Sequence, residues 1–164
     1  MGAFGDRIRQ FREASIPPTE ADFALARQVL GEGPLLDLFL RQTPRDTRHA
    51  AGTARWLIKR NYDDPLLLTA ALLHDIGKGD QRRRDRVAWV VVQRFGLGAA
   101  ASDSMSRFAM RRAMARTADH AAEGARMVAI AGGPERVVDL TARHHSGPGA
   151  DAMLGLLQAA DAAS

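Results

Sequence analysis

The clearest signal for the fold is the stretch DPLLLTAALLHDIGK, residues 64–78. It opens with an Asp-Pro pair, a typical helix start in which Asp64 caps the free N–H groups and proline takes the first helical position. Residues 66–76 are apolar almost all round, as expected of a helix buried in a helical core. Gly77 is predicted to end this helix. A histidine followed by an aspartate, His74-Asp75, therefore lies at the end of a buried helix.

Helical patterns flank this stretch on both sides. Apolar residues at helical spacing, bounded by proline, glycine or capping residues, predict each of them. On the N-terminal side, a short helix is predicted around Phe4, Ile8 and Phe11, followed by Thr19–Gly31, Leu35–Arg41 and Thr43–Arg60. On the C-terminal side, the predicted helices are Arg86–Phe95, Ser104–Thr117, Asp119–Ala131, Pro134–His145 and Asp151–Ala162. The first of these five is β-branched and apolar, so its propensity would equally allow a strand.

The composition supports a single helical domain. The chain has 164 residues, which fits one compact domain with a real core. It is rich in Ala, Leu and Arg, and only 5% of its residues are aromatic, which favours helices over sheets. No internal repeat or linker is visible. The sequence contains no cysteine, which excludes disulfides, thiolate metal ligands and cysteine nucleophiles.

Charge and hydropathy limit the partners. The formal net charge of +4 suits an anionic substrate. The arginines lack interleaved aromatic residues, so specific nucleic-acid binding is not expected. The first ten residues are charged and carry no apolar stretch typical of a signal peptide. The apolar runs are far shorter than the roughly 20 residues of a membrane span. These features together predict a cytoplasmic protein without a membrane span.

The candidate chemistry lies in the histidines, of which there are five: His49, His74, His120, His144 and His145. Because cysteine is absent, any metal must be bound by histidine nitrogens and carboxylate oxygens. Such a ligand set suits a divalent ion such as Mn, Fe, Ni, Co or Mg. Adjacent helical residues point about 100° apart, so His74 and Asp75 can share one ion only if it lies beside the helix between them.

Five segments resemble the HD-domain metal-dependent phosphohydrolase superfamily, in its HDIG form. The likeness spans roughly residues 48–164, and all five histidines fall on family positions in the family's order. The segment around His74-Asp75, AALLHDIGK, resembles the family's signature motif. The other four segments are RHAAGTAR at 48–55, DHAAEGA at 119–125, RHH at 143–145 and LQAADA at 157–162.

This resemblance implies an all-α helical bundle that binds one or two divalent metal ions. It implies one HD domain over residues 1–164, in which N-terminal helices in 1–42 pack on a motif-bearing core, 43–164. Relatives of this kind hydrolyse phosphoester or phosphoanhydride bonds of nucleotides by attack of a metal-activated water. By the same resemblance, the first metal is bound by His49, His74, Asp75 and Asp161, and a second metal, or the substrate phosphate, by His120 and His144.

Physical chemistry gives roles to further residues. A metal ion lowers the pKa of bound water and neutralises charge on phosphate oxygens. Asp75 can bridge two ions or orient the attacking water, which makes it a catalytic candidate. Lys78 can bind a phosphate oxygen as charge develops, and is the second catalytic candidate. Arg48, Arg82 and His145 are predicted to extend the contact with the substrate phosphate, although the run Arg82–Arg86 is more typical of a solvated surface and His145 also fits a structural role.

Two function classes remain open from the sequence. One is a hydrolase of a small phosphorylated substrate, with a nucleotide as the expected kind. The alternative is a non-catalytic HD-type module that binds a nucleotide or serves a regulatory role. Residues 80–118 match no motif and are predicted to form a lid or wall over the site. An exposed apolar face at Val87–Val92 would indicate a homodimer.

Overall fold

The computed structural model describes residues 17–78 and 120–164, and every regular element in these two ranges is a helix. The all-α prediction is therefore confirmed. The predicted helices near Phe4 and over 86–95 and 104–117 lie outside the described residues, as does Arg82. The helices are α1 (Glu20–Leu30), α2 (Pro34–Leu40), α3 (Pro44–Ile58), α4 (Pro65–Leu73), α5 (120–130), α6 (Glu135–Arg143) and α7 (Ala152–Ala162), with a 3-10 turn at Ile76–Lys78.

Capping side chains begin the helices where the sequence predicts them. The Asp64 carboxylate accepts hydrogen bonds from the backbone N–H groups of Leu66 and Leu67, at 2.8 and 3.0 Å. The Thr43 hydroxyl accepts one from the N–H of Asp46, and Asp151 accepts one from the N–H of Leu154 at 3.1 Å. Each cap satisfies donors that the first helical turn leaves unpaired.

The apolar helix α4 forms the centre of the core. Every residue of α4 from Leu67 to Leu73 is buried, and α4 packs against α3, α6 and α7. The first helix, α1, packs on α3 and α4, and its buried Asp22 forms an ion pair with Arg55 of α3. Burial raises the pKa of Asp22, but hydrogen bonds from Thr19 and Arg55 outweigh it and leave the pKa lowered. The assignment of 1–42 as a packing region for the 43–164 core stays a prediction.

The end of the buried helix differs from the prediction. The α-helix stops at Leu73 rather than Ile76, and His74 is its C-cap. Asp75 lies in a turn, after which the chain tightens so that the N–H of Lys78 donates to the Asp75 carbonyl at 3.0 Å. Beyond this turn the backbone at Gly77 lies directly against the backbone of α5. An uninterrupted α-helix was therefore the wrong expectation for residues 74–76.

No helix within 17–78 and 120–164 combines the length and apolarity that crossing a bilayer requires.

Candidate metal centre

Three helix ends bring together what we call the first set: His49, His74 and Asp161. His49 projects from the second turn of α3, His74 caps α4, and Asp161 lies in the last turn of α7. The Asp161 carboxylate lies 2.8 Å from His49 Nε2 and 3.3 Å from His74 Nε2. One ligand atom from each of the three residues lies within 4.8 Å of the others, so they could hold one ion.

The imidazole of His74 is oriented by its own helix. Its Nδ1 lies 3.0 Å from the carbonyl oxygen of Ala71, which can only accept a hydrogen bond, so Nδ1 is the donor of this pair. A metal-binding histidine commonly donates its other ring N–H to a backbone carbonyl in this way. His74 is fully buried, so Nε2 can only face the centre between the helices.

A second set consists of Asp75, His120, His144 and His145. One ligand atom from each of these four residues also lies within 4.8 Å of the others. His144 is the C-cap of α6, and its Nδ1 lies 2.7 Å from the carbonyl oxygen of Thr141, an arrangement that matches that of His74. His120 Nε2 lies 2.9 Å from His145 Nε2. The structure therefore groups His145 with nitrogen ligands rather than apart from them.

Asp75 belongs to the second set and also faces the first. Its Oδ2 is 3.5 Å from His74 Nε2 and 3.9 Å from His49 Nε2. Its Oδ1 is 3.5 Å from His144 Nε2 and 3.8 Å from His120 Nε2. Each oxygen thus points to a different set. The ammonium of Lys78 contacts Oδ2 directly.

Three buried ligand atoms at this centre lack a hydrogen-bond partner among the described residues: His74 Nε2, Asp75 Oδ1 and His144 Nε2. Burying such atoms unpaired is costly, and folded proteins rarely leave them so. All three converge where the two sets meet, and the donors are nitrogens and carboxylate oxygens, the types that bind divalent transition ions. The residues present therefore fit a divalent metal ion.

The groups around Asp75 and Asp161 keep both carboxylates ionised. Burial acts to raise the pKa of Asp75, but contacts with His144, His74 and Lys78 outweigh it and hold the pKa well below its usual range. Asp161 behaves alike: burial raises its pKa, and contacts with His49 and His74 lower it further than burial raises it. Both carboxylates are thus in the form that binds cations.

His145 is shifted in the direction that keeps it neutral. Burial of its ring, together with the neighbouring His144 and His120, lowers its pKa to about 4. At neutral pH the ring is therefore uncharged, and one of its nitrogens can accept a proton or bind an ion.

Two glycines, Gly77 and Gly124, lie where the turn after Asp75 meets α5. A Cβ atom on Gly77 would lie 1.9 Å from the carbonyl oxygen of His120 and 2.5 Å from the backbone nitrogen of Gly124. No side chain fits there, so the turn after Asp75 and the start of α5 touch backbone to backbone. From the sequence, Gly77 is predicted only to end a helix, and Gly124 has no predicted role, because spacing along the chain does not reveal a crossing.

One predicted substrate contact, Arg48, stands apart from the sets. Arg48 is half-buried, and its Nη1 is buried with no hydrogen-bond partner in the part of the chain that the structure describes. It belongs to neither group of candidate ligands, so its phosphate contact stays a prediction. Gln158, which has no predicted role from the sequence, contacts the backbone on both sides of His145 through its amide.

Residues 47–163 match the model of the HD domain family, which is well over half of the chain. The chain therefore belongs to the HD domain family, in the metal-dependent phosphohydrolase superfamily. This match confirms the family that the histidine motifs indicate. Comparison with curated proteins and with solved structures gives no match.

Proposed function

We propose that the protein is a metal-dependent phosphohydrolase that cleaves a phosphoester or phosphoanhydride bond of a nucleotide or related compound. In this proposal His49, His74, Asp75 and Asp161 bind the first ion. Family membership supports the class of reaction, and the observation that carries the proposal is the convergence of unpaired, buried ligand atoms from separate helices on one point.

The second set is proposed to bind a second ion of the same kind, or the substrate phosphate where one ion is present. His120 and His144 are the ligands expected from the sequence, and the grouping with Asp75 and His145 supports this role. A shared carboxylate with one oxygen toward each set suits two ions held close together. The metal, whether Mn, Fe, Ni, Co or Mg, stays open.

When bound, a divalent cation lowers the pKa of water and neutralises charge on phosphate oxygens. The side chains of the protein supply the other catalytic functions. Asp75 has an ionised carboxylate within reach of both sets, so it can orient a water by accepting its proton in a hydrogen bond. Lys78 is partly exposed beside Asp75, and its ammonium can bind a phosphate oxygen in the transition state.

A small phosphorylated molecule, with a nucleotide as the proposed kind, fits these groups. Lys78 is proposed as the first phosphate contact, with Arg48, Arg82 and His145 as further contacts. The cytoplasmic location and the homodimer stay predictions from the sequence.

The test combines metal analysis with a substrate screen. Protein purified without chelator is expected to contain a divalent transition ion and to hydrolyse at least one member of a panel of nucleotides, dinucleoside polyphosphates and simple phosphate esters. Asp75→Asn is expected to lose both the ion and turnover, and Ala159→Gln, at an exposed position of α7, should keep both. Bound nucleotide without hydrolysis in the wild-type protein would instead support a non-catalytic regulatory module.

A further inference from the structure

One side chain outside both sets connects them. Gln158 lies on α7, one turn before Asp161 of the first set. Its amide nitrogen donates to the carbonyl oxygen of His144 at 3.0 Å and to that of Ser146 at 2.5 Å. These two carbonyls stand on either side of His145. The same face of one helix therefore presents a ligand to the first set and holds the backbone that carries two imidazoles of the second.

The segment held by Gln158 follows the end of α6. α6 ends at Arg143, and beyond it the chain forms a turn in which the Ser146 N–H donates to the Arg143 carbonyl at 2.7 Å. The ring of His144 is oriented by Thr141 within its own helix. His145 follows the C-cap of α6 and is exposed, and the hydrogen bonds from Gln158 hold the carbonyls on either side of it.

We infer that Gln158 is a positioning residue that fixes His144 and His145 relative to Asp161, and so sets the geometry between the two sets. The inference rests on the proposed metal centre for its consequence, since it assigns those histidines to an ion or phosphate site. An amide suits this role because both partners are hydrogen-bond acceptors and the NH2 group offers two donors. A glutamate at position 158 would instead place a carboxylate, which also only accepts hydrogen bonds, against these two carbonyl oxygens.

The first experiment needs no metal. In metal-free protein, ¹H–¹⁵N correlation spectra of the imidazole rings are compared for the wild type, Gln158→Met and the control Ala159→Met, which puts the same side chain on the exposed face of α7. We expect Gln158→Met to shift or broaden the signals of His144 and His145, and to leave those of His49 and His74 in place. Unchanged signals of His144 and His145, or equal changes in the control, would overturn the inference.

The second experiment follows Mn²⁺ binding in the same variants. For Gln158→Met we expect about a tenfold loss of affinity at the second set, as supporting residues around metal ligands typically give, and a change within about twofold at the first set. Equal weakening of both sets would show that Gln158 only stabilises α7, and would contradict the inference. If the wild type binds no Mn²⁺ or other divalent ion, the proposed metal centre fails, while the ring spectra still decide whether Gln158 positions the histidines.

Discussion

The two ligand sets are built from different kinds of structure. The first set takes its residues from α3, α4 and α7, which pack on one another in the core. The second takes its histidines from the start of α5 and from the end of α6, where the chain leaves the helix. Hydrophobic packing therefore positions the first set, while a glycine crossing and a glutamine amide position the second. We expect the first set to tolerate surface changes that the second does not.

We expect the largest effect from a change at Asp75, which faces both sets. Asp75→Asn removes the charge that faces both sets but keeps the size of the side chain. Loss of metal affinity should exceed about 100-fold, the upper end of what supporting residues give, and turnover should fall with it. Inductively coupled plasma mass spectrometry after dialysis, together with phosphate release, measures both. Retention of one tightly bound ion would show that the sets do not share Asp75.

Separate variants should distinguish the sets. Asp161→Asn removes the carboxylate that contacts both His49 and His74, and we expect the first ion to be lost, with affinity reduced more than about tenfold. His120→Gln alters only the second set and should leave the first ion in place. Isothermal titration with Mn²⁺ compares the two proteins. Loss of the same single ion in both variants would mean that the chain has one mixed site.

The glycine crossing offers a test through stability. Gly77→Ala forces backbone atoms of α5 to move, so the free energy of unfolding should fall by about 1–3 kcal/mol, as in other overpacked sites. Gly52→Ala, in the middle of α3, meets only Ser164 at 3.6 Å and should raise the free energy of unfolding by roughly 0.5–1 kcal/mol. Urea titrations of both variants make the comparison. A neutral Gly77→Ala would contradict the close contact.

A smaller effect is expected from the pH dependence of the second set. The pKa of His145 is about 4 in the folded chain, below its ordinary value of 6.5. As the pH falls from 6.5 towards about 4, the unfolded chain binds a proton on this histidine that the folded chain does not, so the folded state loses stability. The free energy of unfolding of the metal-free wild type should therefore drop more between pH 7 and pH 4.5 than that of His145→Gln. Parallel curves would exclude the lowered pKa.

The sequence predicted most of the fold because its signals are local. The Asp64 and Thr43 caps begin helices where expected, and the uniformly apolar α4 is buried. The family match over residues 47–163 confirms the family inferred from the histidine motifs. The structure brings His49, His74 and Asp161 together, although their role as ligands stays a prediction.

The remaining features depend on contacts between distant segments. Gly77 reads from the sequence as a helix end, and only the crossing with Gly124 shows why a side chain is excluded. The sequence predicts a helix through His145, but α6 ends at Arg143 with His144 as its C-cap, so the 100° spacing does not give the direction of His145. Gln158 has no sequence signal, since its partners are backbone carbonyls twelve or more residues away.

The most direct measurement is anomalous X-ray diffraction from crystals of the protein grown with Mn²⁺. We predict an anomalous peak from a manganese ion that is bound by His49, His74 and Asp161, with an oxygen of Asp75 beside it. A manganese peak elsewhere in the chain, with none between these side chains, would contradict the proposed metal centre.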